Sequence, residues 1–202
     1  MYIISILICQ VNLLQYYRGI FVKKILVVYK SKYGATQQYA EYIAKELNAD
    51  IYNADTLTSQ KLTLYDIIIW GGGIYAGKIN GVDQLRKLIN DLTGKQIIVF
   101  SVGFTPIDKT QILQKVRNKS FATVSNADIH FYHFTSGINY MKLSFIHKAM
   151  LASRNLIISL KPKASLTQAN IKFLKTYGKN NQRIDTSAVN TLVHDVVNYP
   201  RL

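Results

Sequence analysis

The stretch that decides the fold is KKILVVYKSKYGAT, residues 23–36. Its first eight residues are an apolar run of the kind found in buried parallel strands. The next six, SKYGAT, place hydroxyls at Ser31 and Thr36 and a turn-forming Gly34 directly before an amphipathic helical pattern. A loop that runs from a buried strand into a helix N-terminus offers backbone N–H groups to a phosphate. The sequence therefore predicts a phosphate-binding loop at residues 31–36.

Outward from this loop, strand and helix patterns alternate along the chain. Further strands are predicted at 49–54, 64–71, 95–103 and 127–134, of which 64–71 is mainly apolar. Amphipathic helices are predicted between them, one beginning at Thr105-Pro106 and the last capped by Asp185 or Thr186. This alternation predicts an α/β protein, a parallel sheet between two helical layers joined by right-handed crossovers.

A glycine-rich stretch, WGGGIYAGK at 70–78, fits more than one kind of site. Its spacing matches the G-x-x-x-x-G-K of a P-loop, but Ile79 stands where that motif needs Ser or Thr. It also matches a dinucleotide-binding G-x-G-x-x-A, with Asp91 about twenty residues on, although Asp91 falls on a predicted helix. A glycine turn without a ligand is the third interpretation.

About fifty residues, 135–183, separate the fifth strand from the last helix, which is more than a connection needs. Within them, MKLSFIHKAMLASRNLIISLKPK at 141–163 predicts a basic amphipathic helix. Such a helix lies on an anionic membrane or a partner, or it packs on its own domain. Both interpretations stay open.

The chain has 202 residues and a formal net charge of +14, which suits one domain with a basic surface. No aromatic-basic nucleic-acid motif occurs, so no specific nucleic-acid partner is expected. The single cysteine, Cys9, excludes an intrachain disulfide and fits a reducing cytoplasm. His130 and His133 fall on opposite faces of a predicted strand, and no metal site is expected.

Residues 1–22 form an apolar N-terminal extension ahead of the domain at 23–202. Residues 1–14 carry no charge, but the stretch is short for a bilayer span and lacks the features of a signal peptide. The extension is interpreted as a membrane-associating segment or as a misassigned start. The expected location is the cytoplasm, with peripheral attachment to the inner face of the cell membrane as the second option.

The SKYGAT loop resembles the T-x-T-G-x-T phosphate loop of flavodoxins, with Ser31 for the first threonine and Tyr33 at the third position. Together with GGGIYAGKINGV and GINYMKLSFIHK, it makes residues 23–202 similar to flavodoxin-domain proteins. The resemblance is closest to the branch related to menaquinone-dependent protoporphyrinogen IX dehydrogenase. It implies a flavodoxin-like three-layer sandwich with strand order 2-1-3-4-5 and an extra helical segment after strand five.

The resemblance also implies FMN as the cofactor, held by three loops. The first is the phosphate loop, the second covers the flavin ring with Tyr75 as a stacking residue, and the third meets the ring from the other side. The implied cofactor-binding residues are Ser31, Lys32, Tyr33, Gly34, Ala35, Thr36, Gly73, Ile74, Tyr75, Ala76, Gly77, Ser101, Val102, Gly103 and Phe104.

The implied function is that of an FMN-dependent oxidoreductase of heme biosynthesis, which takes electrons from a porphyrinogen and passes them to a quinone. No catalytic side chain is expected, because the flavin performs the redox step. Candidates for the substrate or for a membrane surface are Lys78, Tyr140, Lys142, Lys148 and Arg154. The alternative is an electron-transfer module serving redox proteins, and a weaker one is an FMN-binding regulator.

Overall fold

The structure of the chain is a computed structural model that describes residues 23–122, 129–137, 139–180 and 184–198. The predicted extension at 1–22 lies outside the described residues. The strands are β1 Ile25–Lys30, β2 Asp50–Asn53, β3 Ile67–Tyr75, β4 Lys78–Ile79, β5 Gln96–Gly103 and β6 Ile129–Thr135. The helices are α1 Ala35–Leu47, α2 Ser59–Leu62, α3 Val82–Leu88, α4 Thr110–Phe121, α5 Phe145–Ser159, α6 Gln168–Thr176 and α7 Thr186–Val197.

Five of the strands are parallel and lie in the order β2-β1-β3-β5-β6. Counted along the parallel strands alone, this is the predicted order 2-1-3-4-5. The short β4 pairs antiparallel with the end of β3. The sheet confirms the predicted flavodoxin-like fold, and it brings the C-terminal ends of β1, β3 and β5 to one edge, where ligands of open parallel sheets bind.

The central strands are buried on both faces, which explains their unbroken apolar sequences. Alternate residues of β1 enter different clusters: Leu26 and Val28 pack on one side of the sheet, and Val27 packs on the other. Residues of α3 and α4 cover the first side. Residues of α1 and α7 cover the second. The result is the expected sandwich of three layers.

Two helix starts were predicted, and one of them is wrong. The α7 helix begins as expected, because the Asp185 carboxylate accepts hydrogen bonds from the N–H groups of Ser187 and Ala188. The α4 helix begins at Thr110 and not at Thr105-Pro106. The carbonyl oxygen of Thr105 lies 2.8 Å from a ring nitrogen of His133, so this segment is held against β6 as a loop.

The extra segment lies between β6 and α7 and contains α5 and α6, in agreement with the predicted helical insertion. Its two ends meet at one side chain of α1. The Tyr39 hydroxyl donates to the carbonyl oxygen of Thr135 and accepts from the N–H of Asp185, both at 2.7 Å. The helices α5 and α6 contact each other, with the Arg154 guanidinium 4.7 Å from the ring centroid of Phe173. Of the helices in the described residues, none is both long and apolar enough to cross a membrane.

Candidate functional site

A cavity of about 270 Å³ lies at the C-terminal edge of the sheet. Its walls come from the loop after β1, the ends of β3 and β5, the segment after β6, and α5. It is lined by eleven of the fifteen residues that the sequence predicts for cofactor binding: Ser31, Tyr33, Ala35, Thr36, Gly73, Ile74, Tyr75, Ala76, Val102, Gly103 and Phe104. Residues from three separate parts of the sequence thus share one site.

The phosphate loop has the shape that its residues predict. Gly34 has a φ of 92°, a left-handed conformation that favours glycine, and its N–H donates to the Ser31 hydroxyl at 3.0 Å. The α1 helix begins at the next residue, so its N-terminal turn borders the cavity at Ala35 and Thr36. Thr36 is only 3% exposed. A helix N-terminus carries a partial positive charge, and this end of the cavity therefore suits an anionic group.

The glycine-rich stretch is a hairpin and not a nucleotide loop. Residues 70–75 continue β3, and Tyr75 pairs with Lys78 across a two-residue turn. Both turn residues have positive φ, 48° at Ala76 and 74° at Gly77, as a type I′ turn requires. No helix begins until Val82, whereas a P-loop or a dinucleotide loop opens directly into one. The hairpin places Tyr75 at the cavity.

An aromatic cluster of Tyr33, Tyr75 and His147 closes one side of the cavity. The ring of Tyr33 lies edge-on to Tyr75 and to His147, with centroid distances of 6.2 and 5.5 Å. The Tyr33 hydroxyl lies 2.7 Å from Nδ1 of His147 and 3.1 Å from the Ser144 hydroxyl. Burial raises the pKa of Tyr75 to about 12, so its hydroxyl stays protonated at neutral pH. The contacts of Tyr33 with Ser144 and His147 join the insertion to the phosphate loop.

The wall from β5 is supported by a buried histidine that the sequence did not single out. Ser101 does not line the cavity, because its hydroxyl is buried against Nδ1 of His133 at 2.8 Å. Nε2 of His133 lies 2.8 Å from the carbonyl oxygen of Thr105, so this nitrogen carries the proton and Nδ1 accepts from Ser101. His133 thus fixes the segment that follows Gly103, which lines the cavity.

We expect the free energy of unfolding to fall by about 1 kcal/mol as the pH drops from 7.5 to 5.5 because of His133. Burial lowers the pKa of His133 below its usual value, so below about pH 6.5 the unfolded chain takes up a proton more readily than the folded chain. Urea unfolding at both pH values measures the difference. His133→Asn should remove this part of the pH dependence, whereas His194→Asn, at a side chain that is 75% exposed, should not. An identical pH dependence in both variants would contradict the assignment.

The other predicted residues lie outside the cavity lining. The Lys32 ammonium stands 5.7 and 5.9 Å from the ring centroids of Tyr33 and Tyr75. Gly34 and Gly77 serve as turn residues. Lys78 does not face the cavity, because its ammonium binds the Asp83 carboxylate at 2.7 Å.

Of the basic and aromatic candidates, only Arg154 lines the cavity. The ring of Tyr140 contacts that of Tyr177, with centroids 5.7 Å apart, and the Lys148 ammonium lies 5.7 Å from the ring centroid of Tyr140. Lys142 is exposed on the turn that precedes α5. The predicted basic candidates therefore contribute a single cation, Arg154, to the cavity lining.

The insertion contributes further lining residues that are not among the site residues predicted from the sequence. They are Ser136, Gly137, Asn139, Leu143, His147, Met150 and Leu151. As a lone histidine in the sequence, His147 is expected at the surface or near a helix terminus, whereas the structure places it on α5 in the cavity lining. The signal that identifies His147 is its spacing from Leu151 and Arg154, four and seven residues away on the same face of α5.

The cavity fits a flavin mononucleotide in its chemistry. One end is the N-terminus of α1 with buried Thr36, and the remainder is lined mainly by apolar and aromatic side chains. None of the described residues that line it is acidic, and Arg154 and His147 are the basic ones. The helix N-terminus suits the anionic phosphate of FMN, and the apolar and aromatic lining suits its flat ring system.

Comparison with known proteins gives the family. The family model for the flavodoxin domain matches residues 26–158. A protein of Methanocaldococcus jannaschii, itself named only as uncharacterized, is 36% identical over 102 residues, which are 48% of this chain and 65% of that protein. The chain therefore spans less than two thirds of that relative.

Solved structures with a similar arrangement include a candidate flavoprotein from Bacteroides eggerthii, at 16% identity and a TM-score of 0.43, covering 69% of this chain and 99% of that one. Flavodoxin 1 from Bacillus cereus is 19% identical with a TM-score of 0.40, covering 55% of this chain and 85% of that one. The family assignment rests on the family model and not on these alignments.

The matched model describes a flavodoxin domain in general, so the narrower resemblance to the protoporphyrinogen dehydrogenase branch stays a prediction. The match extends over the strands β1 to β6 and into the insertion as far as α5. The chain belongs to the flavodoxin domain family, which implies a flavin as its cofactor.

Proposed function

We propose that this chain is an FMN-dependent redox protein whose cofactor occupies the cavity at the C-terminal edge of the sheet. The observation that carries the proposal is the convergence of three loops on that cavity, with eleven of fifteen expected residues in its lining. When bound, FMN supplies the capacity to accept and release electrons, and the protein supplies position and electrostatics.

The residues of the chain divide the work of holding the cofactor. The N-terminus of α1, Ser31 and Thr36 would bind the phosphate through N–H groups and hydroxyls. Tyr75 is the last residue of β3 and Phe104 follows β5, and both would contact the ring system. His147 and Arg154, on α5, would limit the access of water and of electron partners from the side of the insertion.

We expect the bound flavin to be easier to reduce than the flavin of an acidic flavodoxin. A reduced flavin is anionic, and the chain carries a net charge of +14 with no acidic residue among the described residues of the cavity lining. The positive potential should stabilise the reduced form. A spectroelectrochemical titration beside an acidic flavodoxin measures the difference, and an equal or lower potential would contradict it.

An enzyme that turns over a small substrate is favoured over a carrier by the insertion. A carrier docks protein partners at an exposed ring edge and needs no further wall. Here α5 adds Met150 and Leu151, and the turn before it adds Leu143, as an apolar wall, and α5 also adds Arg154 as a cation. This combination suits a substrate with an apolar body and a carboxylate.

The proposed reaction is the oxidation of a porphyrinogen with a quinone as the acceptor, as in the dehydrogenase that the sequence resembles. Each pair of electrons, with two protons, that the substrate loses converts one quinone to a quinol, so full oxidation of a porphyrinogen to a porphyrin consumes three quinones. Porphyrinogens carry carboxylates, which Arg154 would attract.

The experiment is anaerobic mixing of the FMN-loaded chain with protoporphyrinogen, followed by a menaquinone analogue. Bleaching of the flavin absorbance and its return on adding the quinone support the enzyme. The matched variant Arg154→Gln should raise the porphyrinogen concentration needed for half-maximal bleaching, whereas Arg117→Gln on α4 should not. Inertness to porphyrinogen with rapid reduction by a flavoprotein reductase would support the electron-transfer module instead.

A further inference from the structure

The outer face of α5 is apolar and exposed. At 100° per residue, Phe145, Leu156 and Leu160 lie within about 60° of one another around the helix axis. Their exposed fractions are 86%, 60% and 77%. Ile146 and Ile157 continue the same face and are also exposed. This face, defined by these five residues, is called the outer face of α5 below.

The opposite face of α5 is already occupied within the domain. Ile158 is buried, and His147 and Leu151 line the cavity. The helix is therefore fixed with its outer face away from the cavity. Large apolar side chains clustered on a helix that is already packed on its other side mark a surface for a partner or a membrane.

The charge around this face is entirely positive. Residues 129–184 contain no Asp or Glu. They contain nine of the 25 lysines and arginines of the chain: Lys142, Lys148, Arg154, Lys161, Lys163, Lys172, Lys175, Lys179 and Arg183. The described members of this group lie on α5, on α6, or on the turns beside them. The positive charge of this segment therefore favours an anionic partner.

We propose that the outer face of α5 docks on the surface of an anionic lipid bilayer, with the helix lying parallel to the membrane plane. Apolar side chains on one face with lysines at its flanks are the composition of helices that lie at a membrane interface. Lysines near an anionic leaflet each add attraction. A second copy of the chain is disfavoured, because its insertion would oppose one positive segment with another.

This docking has a consequence for electron transfer that rests on the proposed function. The inner face of α5 lines the cavity, and a helix is about 10 Å across. The bilayer would then lie one helix away from the flavin site, and a lipid-soluble quinone would have a short route to it. Docking itself does not depend on the flavin, and its test uses no redox readout.

The test uses the full chain with a local reporter on the outer face. The only tryptophan, Trp70, is fully buried, so the emission added by a Phe145→Trp variant reports its own position. The matched control is Leu64→Trp, at an exposed apolar residue between α2 and β3. Vesicles of equal parts phosphatidylglycerol and phosphatidylcholine, brominated in their acyl chains, should roughly halve the F145W emission and leave L64W unchanged.

The role of the cations is tested on the F145W background. Neutralising Lys148, Lys161 and Lys163 to Gln should weaken vesicle binding roughly a hundredfold. Neutralising Lys45, Lys87 and Lys115, exposed on other helices, gives the same net charge and should have a much smaller effect.

Three results would overturn the proposal. Vesicle binding without quenching of F145W would mean that another part of the chain makes the contact. Equal binding to pure phosphatidylcholine would remove the role of charge. A dimer, detected by sedimentation equilibrium and shielding the F145W side chain from acrylamide, would identify a second copy as the occupant.

Discussion

Replacing Thr36 by valine should weaken FMN binding by roughly ten- to a hundredfold while leaving riboflavin binding unchanged. Valine keeps the shape of this buried residue and removes a hydroxyl that borders the cavity at the start of α1. A hydrogen bond to a charged phosphate contributes about 1.5–3 kcal/mol. Because riboflavin has no phosphate, it provides the control ligand. Fluorescence titration of both flavins gives the two dissociation constants.

The matched variant is Thr36→Ser, which keeps the hydroxyl and should bind FMN within about threefold of the original chain. Urea unfolding of both variants without flavin separates folding from binding. Should T36V weaken riboflavin as much as FMN, the phosphate would not lie at this end of the cavity, and the proposed orientation of the cofactor would be wrong.

Replacing Tyr33 by phenylalanine should lower the free energy of local opening of α5 by about 1–3 kcal/mol. The variant keeps the ring in the aromatic cluster and removes the hydroxyl that lies against His147 and Ser144. Because this hydroxyl joins the phosphate loop to the insertion, its loss should raise the hydrogen-exchange rates of α5 roughly tenfold or more. Exchange in the strands of the sheet should not change.

Two comparisons decide whether the effect belongs to this contact. Tyr42→Phe removes a hydroxyl from α1 at a residue outside the cavity lining, and it should leave α5 unchanged. A double-mutant cycle of Y33F with His147→Ala should be strongly non-additive, because each change removes the same bond. Additive effects on exchange would show that the hydroxyl and the imidazole act independently.

The sheet could be predicted because its information is local. The central strands β1, β3 and β5 are mainly apolar runs, and the loop after β1 carries hydroxyls and a glycine in the pattern that a phosphate requires. The strand order came from the resemblance to a family and not from the strands themselves. The stretch at 70–78 was ambiguous because the same glycines suit a turn and a nucleotide loop. Only the pairing of Tyr75 with Lys78 decides in favour of the turn.

The site was harder to predict where it depends on contacts between distant residues. His147 lies more than a hundred positions from Tyr33, and its helical spacing from Leu151 and Arg154 does not indicate that contact. His133 and Thr105 are likewise joined only in three dimensions, and that bond explains why the Thr-Pro pair does not begin a helix. The predicted helix at 141–163 is shorter, because α5 runs only from Phe145 to Ser159 and Pro162 follows it.

The two ends of the insertion are held by one oxygen, since the Tyr39 hydroxyl bonds both Thr135 and Asp185 at 2.7 Å. A segment that departs and returns at a single point adds little strain to the sheet that carries it. It is therefore separable: a few glycines in place of residues 136–184 should span the gap and leave a minimal module with its phosphate loop intact. The same junction offers a place to exchange this segment for another, so that one flavodoxin-like scaffold could carry a different docking surface or cavity wall.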